Sequence, residues 1–218
     1  MNQALLPQGT IQYREMGTGE PIVLVHGLLT DGELWREVAP RLAADYRVIV
    51  PDWPLGSHKL PLTPGADLSP PGLARIIANF MAELELDGVT LVGNDTGGAI
   101  CQLVAVEHPE RLARLVLTPC DAYENFLPPA FRPLQTLARI PGAVFLISHS
   151  LRPAAARRLP LAYGWVTKRA DDALTRSWLA PALSSRAIRR EVASILTGIS
   201  PHYTVRAAER FGEFTKPC

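Results

Sequence analysis

Val89-Thr-Leu-Val-Gly-Asn-Asp-Thr-Gly-Gly-Ala-Ile100 is the stretch whose reading decides the fold. A β-branched apolar run, Val89–Val92, ends at Gly93, and an apolar helical run opens at Gly97. The pattern is a strand, a tight turn and a helix. Gly93 and Gly97 bracket Asp95 in the order Gly-x-Asp-x-Gly. Glycines suit a turn where the backbone comes close to its neighbours. The Asp95 side chain is thereby lifted above the sheet. The helix N-terminus beside it offers free N–H groups and a positive dipole end that favour a carboxylate. A plainer reading stands beside this one, in which Asp95 only caps the helix.

Working outward, Thr10–Glu15 alternates as a strand near a sheet edge. Ile22–Val25, Arg47–Val50 and Leu115–Thr118 are short apolar strands of the kind buried on both faces. Asp31 is placed to cap a helix with the stripe Leu34, Trp35, Val38 and Leu42. Ser69-Pro-Pro opens a helix whose buried face is Leu73, Ile76, Ile77, Phe80, Met81 and Leu84, stopped at Asp87-Gly88. The helix from Gly97 to about Glu107 is apolar nearly all round and belongs in the middle of a domain. Alternating strands and helices predict an α/β fold with a mostly parallel sheet and flanking helices. Ligand sites of such sheets lie at the strands' carboxyl ends. Those ends carry His26-Gly27-Leu28, Asp52–His58, Asp95-Thr96 and Cys120-Asp121.

After Ala122 the alternation stops. Residues 131–140, 153–162, 170–180, 184–197 and 203–211 read as helices, and Ala143–Ile147 as helix rather than strand. The expected division is a core over 1–121, an inserted helical cap over 122–210, and over 211–218 the start of a returning core strand, with the last strands of the sheet missing.

Composition narrows the function classes. The chain has 218 residues, 47% hydrophobic and 20% charged, with net charge +1. That balance gives no footprint for nucleic acid. Cys101, Cys120 and Cys218 are few and widely spaced, which predicts a reducing, cytoplasmic setting rather than a disulfide framework. No metal-binding spacing is present, so no metal site is expected. No apolar run reaches the ~18 residues of a membrane span, and no membrane partner is expected. The expected partner is a small-molecule substrate; oligomeric state is left open.

Val23-Leu-Val-His-Gly27, Val50-Pro-Asp52, Leu91-Val-Gly-Asn-Asp-Thr-Gly-Gly98, His108-Pro-Glu-Arg111 and Leu115-Val-Leu117 together resemble the α/β-hydrolase superfamily. Gly-x-Asp-x-Gly is similar to its nucleophile elbow, Gly-x-Ser-x-Gly, with aspartate in the serine position. An aspartate there resembles the branch of haloalkane dehalogenases and epoxide hydrolases. The resemblance implies a hydrolase without cofactor in which Asp95 attacks an organohalide or epoxide carbon and forms an alkyl ester that water then cleaves. It implies an oxyanion- or halide-binding pair at Leu28 and Thr96, on a loop carrying His26 and Gly27. Asp121 is a candidate orienting acid. Tyr163, Tyr203, Trp165 and Trp178 are the cap candidates facing a substrate.

Three departures from the family pattern matter. The family's base histidine comes late, and none of His26, His58, His108, His149 and His202 matches its place. The elbow carries Thr96 where relatives have tryptophan. The chain stops before the last strands of the pattern. A second reading is therefore a catalytically incomplete hydrolase-like protein, or fragment, that binds a small hydrophobic ligand.

Overall fold

The computed structural model describes residues 1–165, 167–168 and 170–218. Its six strands are β1 (Asn2–Leu6), β2 (Gly9–Met16), β3 (Pro21–Val25), β4 (Arg47–Pro51), β5 (Val89–Asp95) and β6 (Leu112–Cys120). They form one sheet in the order β1-β2-β4-β3-β5-β6. β3, β4, β5 and β6 pair in parallel, while β1 with β2 and β2 with β4 are antiparallel. β3 shows why the apolar runs are continuous. Val23 and Val25 point into one core and Ile22 and Leu24 into another, so both faces are covered.

The larger core holds α2 (Pro70–Glu83) and α3 (Thr96–Glu107). The Ser69 hydroxyl accepts from Gly72 N–H at 3.3 Å and starts α2. Phe80 of α2 meets Tyr13 and Trp53 edge-on, with ring centroids 5.4 and 5.0 Å apart. α3 is buried from Thr96 to Val106, which fixes the elbow in the centre of the domain. The opposite core holds Trp35 and Ala39, from a 3-10 turn (Gly32–Trp35) and α1 (Ala39–Leu42).

After β6 come α4 (Arg132–Ala138), α5 (Ala143–Ser150), α6 (Ala154–Arg157), a π turn (Pro160–Gly164), α7 (Asp172–Ser184), α8 (Arg186–Gly198) and α9 (Pro201–Glu209). α9 packs back on α3. Arg157, buried in this segment, is held by Thr175 Oγ1 at 3.1 Å, Leu151 O at 3.0 Å and the Asp172 carboxylate.

Several local expectations are revised. β1 pairs with β2 in a hairpin that the short, half-polar N-terminus does not announce, so β2 is one strand in from the edge. The stripe from Leu34 to Leu42 is not one helix, because Pro40 begins a new one at α1. The helix expected over 153–162 is likewise cut by Pro160 and by the non-helical Ala162. Residues after Glu213 form no strand. Pro217 O accepts from Leu115 N–H at 3.0 Å, a single backbone bond on the β6 edge.

Candidate active site

Asp95 ends β5 and precedes α3 with φ 54° and ψ −135°, a left-handed conformation costly for a residue with a Cβ. The strain persists because the glycines around it leave room for nothing else. A Cβ on Gly97 would lie 2.3 Å from His26 O, and one on Gly27 would lie 2.2 Å from Asp95 Oδ2. The Asp95 carboxylate makes no capping bond to α3. Instead Oδ2 accepts from Leu28 N–H at 3.2 Å, across the loop after β3. Burial pushes the Asp95 pKa up, and the Thr96 and Leu28 N–H groups draw it back down.

His26 fixes that loop. It is fully buried, and its Nε2 accepts from Trp53 N–H at 2.9 Å. The proton therefore sits on Nδ1, which donates to Gly27 O at 2.9 Å. Burial lowers the His26 pKa, so the ring stays neutral. Its role is to hold Gly27 and Leu28 against Asp95.

Asp121 stands behind the elbow. Its carboxylate accepts from Thr96 Oγ1 at 3.3 Å, and its N–H donates to Asp95 O at 3.3 Å. Gln102 Nε2 of α3 donates to Asp121 O at 2.8 Å. Burial first, then the Asp95 charge, push the Asp121 pKa up to about 6.

Asp95 opens into a cavity of about 180 Å³. The lower wall is Leu28, Leu29 and Thr96. α4, α5, α7 and α8 roof it with Leu134, Ile147, Leu179, Val192 and other apolar side chains. Asp95 is the only formally charged residue lining it, among the described residues. Tyr163 and Trp178 line it too, but their polar atoms are engaged with the core. Tyr163 Oη donates to Leu29 O at 3.0 Å and Trp178 Nε1 to Asp31 Oδ1 at 2.8 Å. Tyr203 lies elsewhere, in a groove against Leu103 and Val106 of α3, and Trp165 is exposed. Neither is brought to Asp95.

None of the five histidines lines the cavity. His58 Nδ1 accepts from Gly56 N–H at 3.3 Å, so Nε2 carries the proton to Glu191 Oε2 at 2.6 Å. Glu191 Oε1 also takes Leu62 N–H at 2.9 Å. His149 bonds Phe145 O on its own helix, His202 is exposed on α9, and His108 ends α3. The sequence reading missed three things here. They are Glu191, Gln102, and the buried pair Asp31 and Asp52, which the Nζ of exposed Lys59 reaches at 3.6 Å (Asp31 Oδ2) and 3.0 Å (Asp52 Oδ2). Asp31 caps the 3-10 turn after β3 and Asp52 directly follows β4, which is a signal, but nothing in the sequence pairs either with Lys59. Among the described residues no cluster of side chains could hold a metal ion. No helix among them is long and apolar enough to cross a membrane.

The geometry so far is a strained aspartate on a strand–helix turn, facing a backbone N–H from the loop of the neighbouring strand, beneath an apolar cavity. The alpha/beta hydrolase fold family matches residues 20–189, and the chain belongs to that family. It is 39% identical over 106 residues to the 2-hydroxy-6-oxo-2,4-heptadienoate hydrolase of Pseudomonas putida, covering 47% of this chain and 38% of that protein. It is 36% identical over 110 residues to haloalkane dehalogenase 2 of Mycobacterium bovis, covering 50% and 38%. The chain thus matches well under half the length of these relatives. The solved structure of the epoxide hydrolase CorEH superposes with a TM-score of 0.74 at 20% identity, covering 95% of this chain and 76% of that one. That likeness concerns the fold.

Proposed function

We propose that the chain is the nucleophile-bearing part of a hydrolase in which Asp95 attacks the electrophilic carbon of a small, neutral, apolar organohalide or epoxide. The observation that carries this reading is the Asp95 carboxylate itself, partly desolvated and, among the described residues, the only formal charge lining an apolar cavity. A carboxylate is ionised near neutral pH and needs no base to attack carbon. An Asp95 oxygen bonds to carbon as the carbon–halogen bond breaks and halide leaves with the electron pair; with an epoxide, the ring C–O bond breaks, its electron pair stays on the ring oxygen, and water supplies the proton that makes it a hydroxyl. The product is an ester on Asp95. Water attack on its carbonyl then puts negative charge on an oxygen beside the Leu28 and Thr96 N–H groups. Asp121 is the acid nearest this step, linked to it through Thr96 Oγ1.

Residues 122–210 act as a cap that shapes the substrate space over the core 1–121. Among the described residues the lining has no lysine, arginine or histidine to hold a substrate carboxylate, which favours neutral substrates. The kinship with a haloalkane dehalogenase supports the same class. Ester formation is the half-reaction that these side chains support by themselves, since no histidine stands at the cavity to activate water.

A series of 1-bromoalkanes and terminal epoxides tests this. One equivalent of bromide released per chain, or of epoxide opened, is expected even without turnover. Release of none from any member of the series contradicts the reading.

A further inference from the structure

The helical segment carries a surface that the proposed reaction does not use. Between Glu124 and Asp171 the sequence has no acidic residue and seven basic ones. Arg132, Arg139, Arg152, Arg158 and Lys168 are exposed, and none has an ion-pair partner among the described residues. Fourteen large hydrophobic side chains are exposed in the described chain, and seven of them fall between Leu137 and Trp165. Leu146, Leu161 and Trp165 are 67%, 59% and 65% exposed. Scattered exposed leucines need no explanation, whereas seven exposed apolar side chains within one stretch call for one.

We propose that this face of residues 137–165 docks on the surface of an anionic lipid bilayer. Within the stretch, leucines and a tryptophan interleave with arginines and no acid, the composition of an interfacial anchor, while Asp171 and Asp172 adjoin it at the groove that Arg158 and Lys168 line. The apolar side chains enter the headgroup–acyl boundary. The arginines meet lipid phosphates while their stems cover apolar surface. No helix among the described residues is long and apolar enough to cross a membrane, and the contact proposed is peripheral. The expectation of no membrane partner came from the absence of an apolar run long enough to span a bilayer, which does not bear on a surface contact, and the net charge of +1 averages this basic segment with an acidic remainder.

The position of Leu161 adds a consequence. It is exposed on this face and also lines the Asp95 cavity, which half-buried Ile147 and Leu151 line too. The docked face therefore borders the cavity, and an apolar ligand dissolved in the acyl layer reaches it without crossing water. Docking itself does not depend on the reaction proposed for Asp95.

Vesicles of phosphatidylcholine alone, and of phosphatidylcholine with about one third phosphatidylglycerol, test the proposal by co-sedimentation. Trp35, Trp53 and Trp178 are buried, so Trp165 is a built-in reporter. Its emission is expected to shift to the blue on the anionic vesicles, and Trp165→Phe to remove the shift. Arg152→Ser with Arg158→Ser is expected to weaken partitioning about thirty-fold. Leu146→Ser with Leu159→Ser also weakens it, with the thermal melt checked for each variant. Raising salt to about 0.5 M releases the wild-type chain in part, which requires no variant to fold. Equal partitioning on both vesicle types would overturn the proposal. So would no partitioning on either, or capture by a polyanion such as heparin without vesicle binding.

Discussion

Asp121→Asn is expected to stabilise the chain at pH 8 and to leave it nearly unchanged at pH 4. The Asp121 pKa is raised from an ordinary 3.8 to about 6. Two pH units correspond to about 3 kcal/mol of differential interaction between the protonated and ionised forms. Between those two values the native state binds more protons than the unfolded chain. Stability from this group is therefore fully present below about pH 4, is lost as pH rises to about 6, and stays lost above it. Asparagine removes the ionised form but keeps an oxygen to accept from Thr96 Oγ1–H and the Leu127 N–H, the two groups that lower the Asp121 pKa. Allowing for the weaker bonds to a neutral acceptor, a net gain of about 1–3 kcal/mol is expected at pH 8. Urea unfolding of both proteins from pH 4 to pH 8 measures it. The Asp95 charge is the second cause of the shift, so in an Asp95→Asn background the pH-dependent part should shrink. A gain that is the same at pH 4 and pH 8, or a loss at pH 8, would refute the reasoning.

Two further expectations concern the scaffold. His26→Ala leaves the Trp53 N–H unpaired in a fully buried place and opens a cavity, with an expected loss of about 2–4 kcal/mol in denaturant unfolding. A loss under ~0.5 kcal/mol would mean that the loop holding Leu28 is fixed by other contacts. Glu191→Ala frees both His58 Nε2 and Leu62 N–H, and is expected to cost about 2–3 kcal/mol. A double-mutant cycle with His58→Ala should show coupling of about 1 kcal/mol or more, and additivity of the two losses would contradict the pairing.

The strand–turn–helix at Asp95 was legible because Gly93 and Gly97 stand where a side chain would collide with backbone. The buried face of α2 was legible from its periodic apolar pattern, and the burial of α3 from a run that is apolar nearly all round. The N-terminal hairpin was not, since β1 is held by β2 and by burial of Ala4 rather than by its own residues. At the site, Asp95 and its Leu28 partner follow from motif and strand order. The anchoring of Glu191 on His58, 133 residues apart, depends on how α8 folds over the core, and no local pattern announces it. Tyr163 and Trp178 show the limit from the other side. Both reach the cavity, but the direction of their polar atoms is set by Leu29 O and Asp31, which a sequence cannot order in space.

The central claim is that Asp95 forms a covalent ester. Intact-mass spectrometry followed by peptide mapping, after incubation with a reactive 1-bromoalkane or terminal epoxide, tests it most directly. The account predicts one adduct per chain on the peptide containing Asp95, absent in Asp95→Asn. An adduct on any other residue, or one that persists in Asp95→Asn, would contradict it.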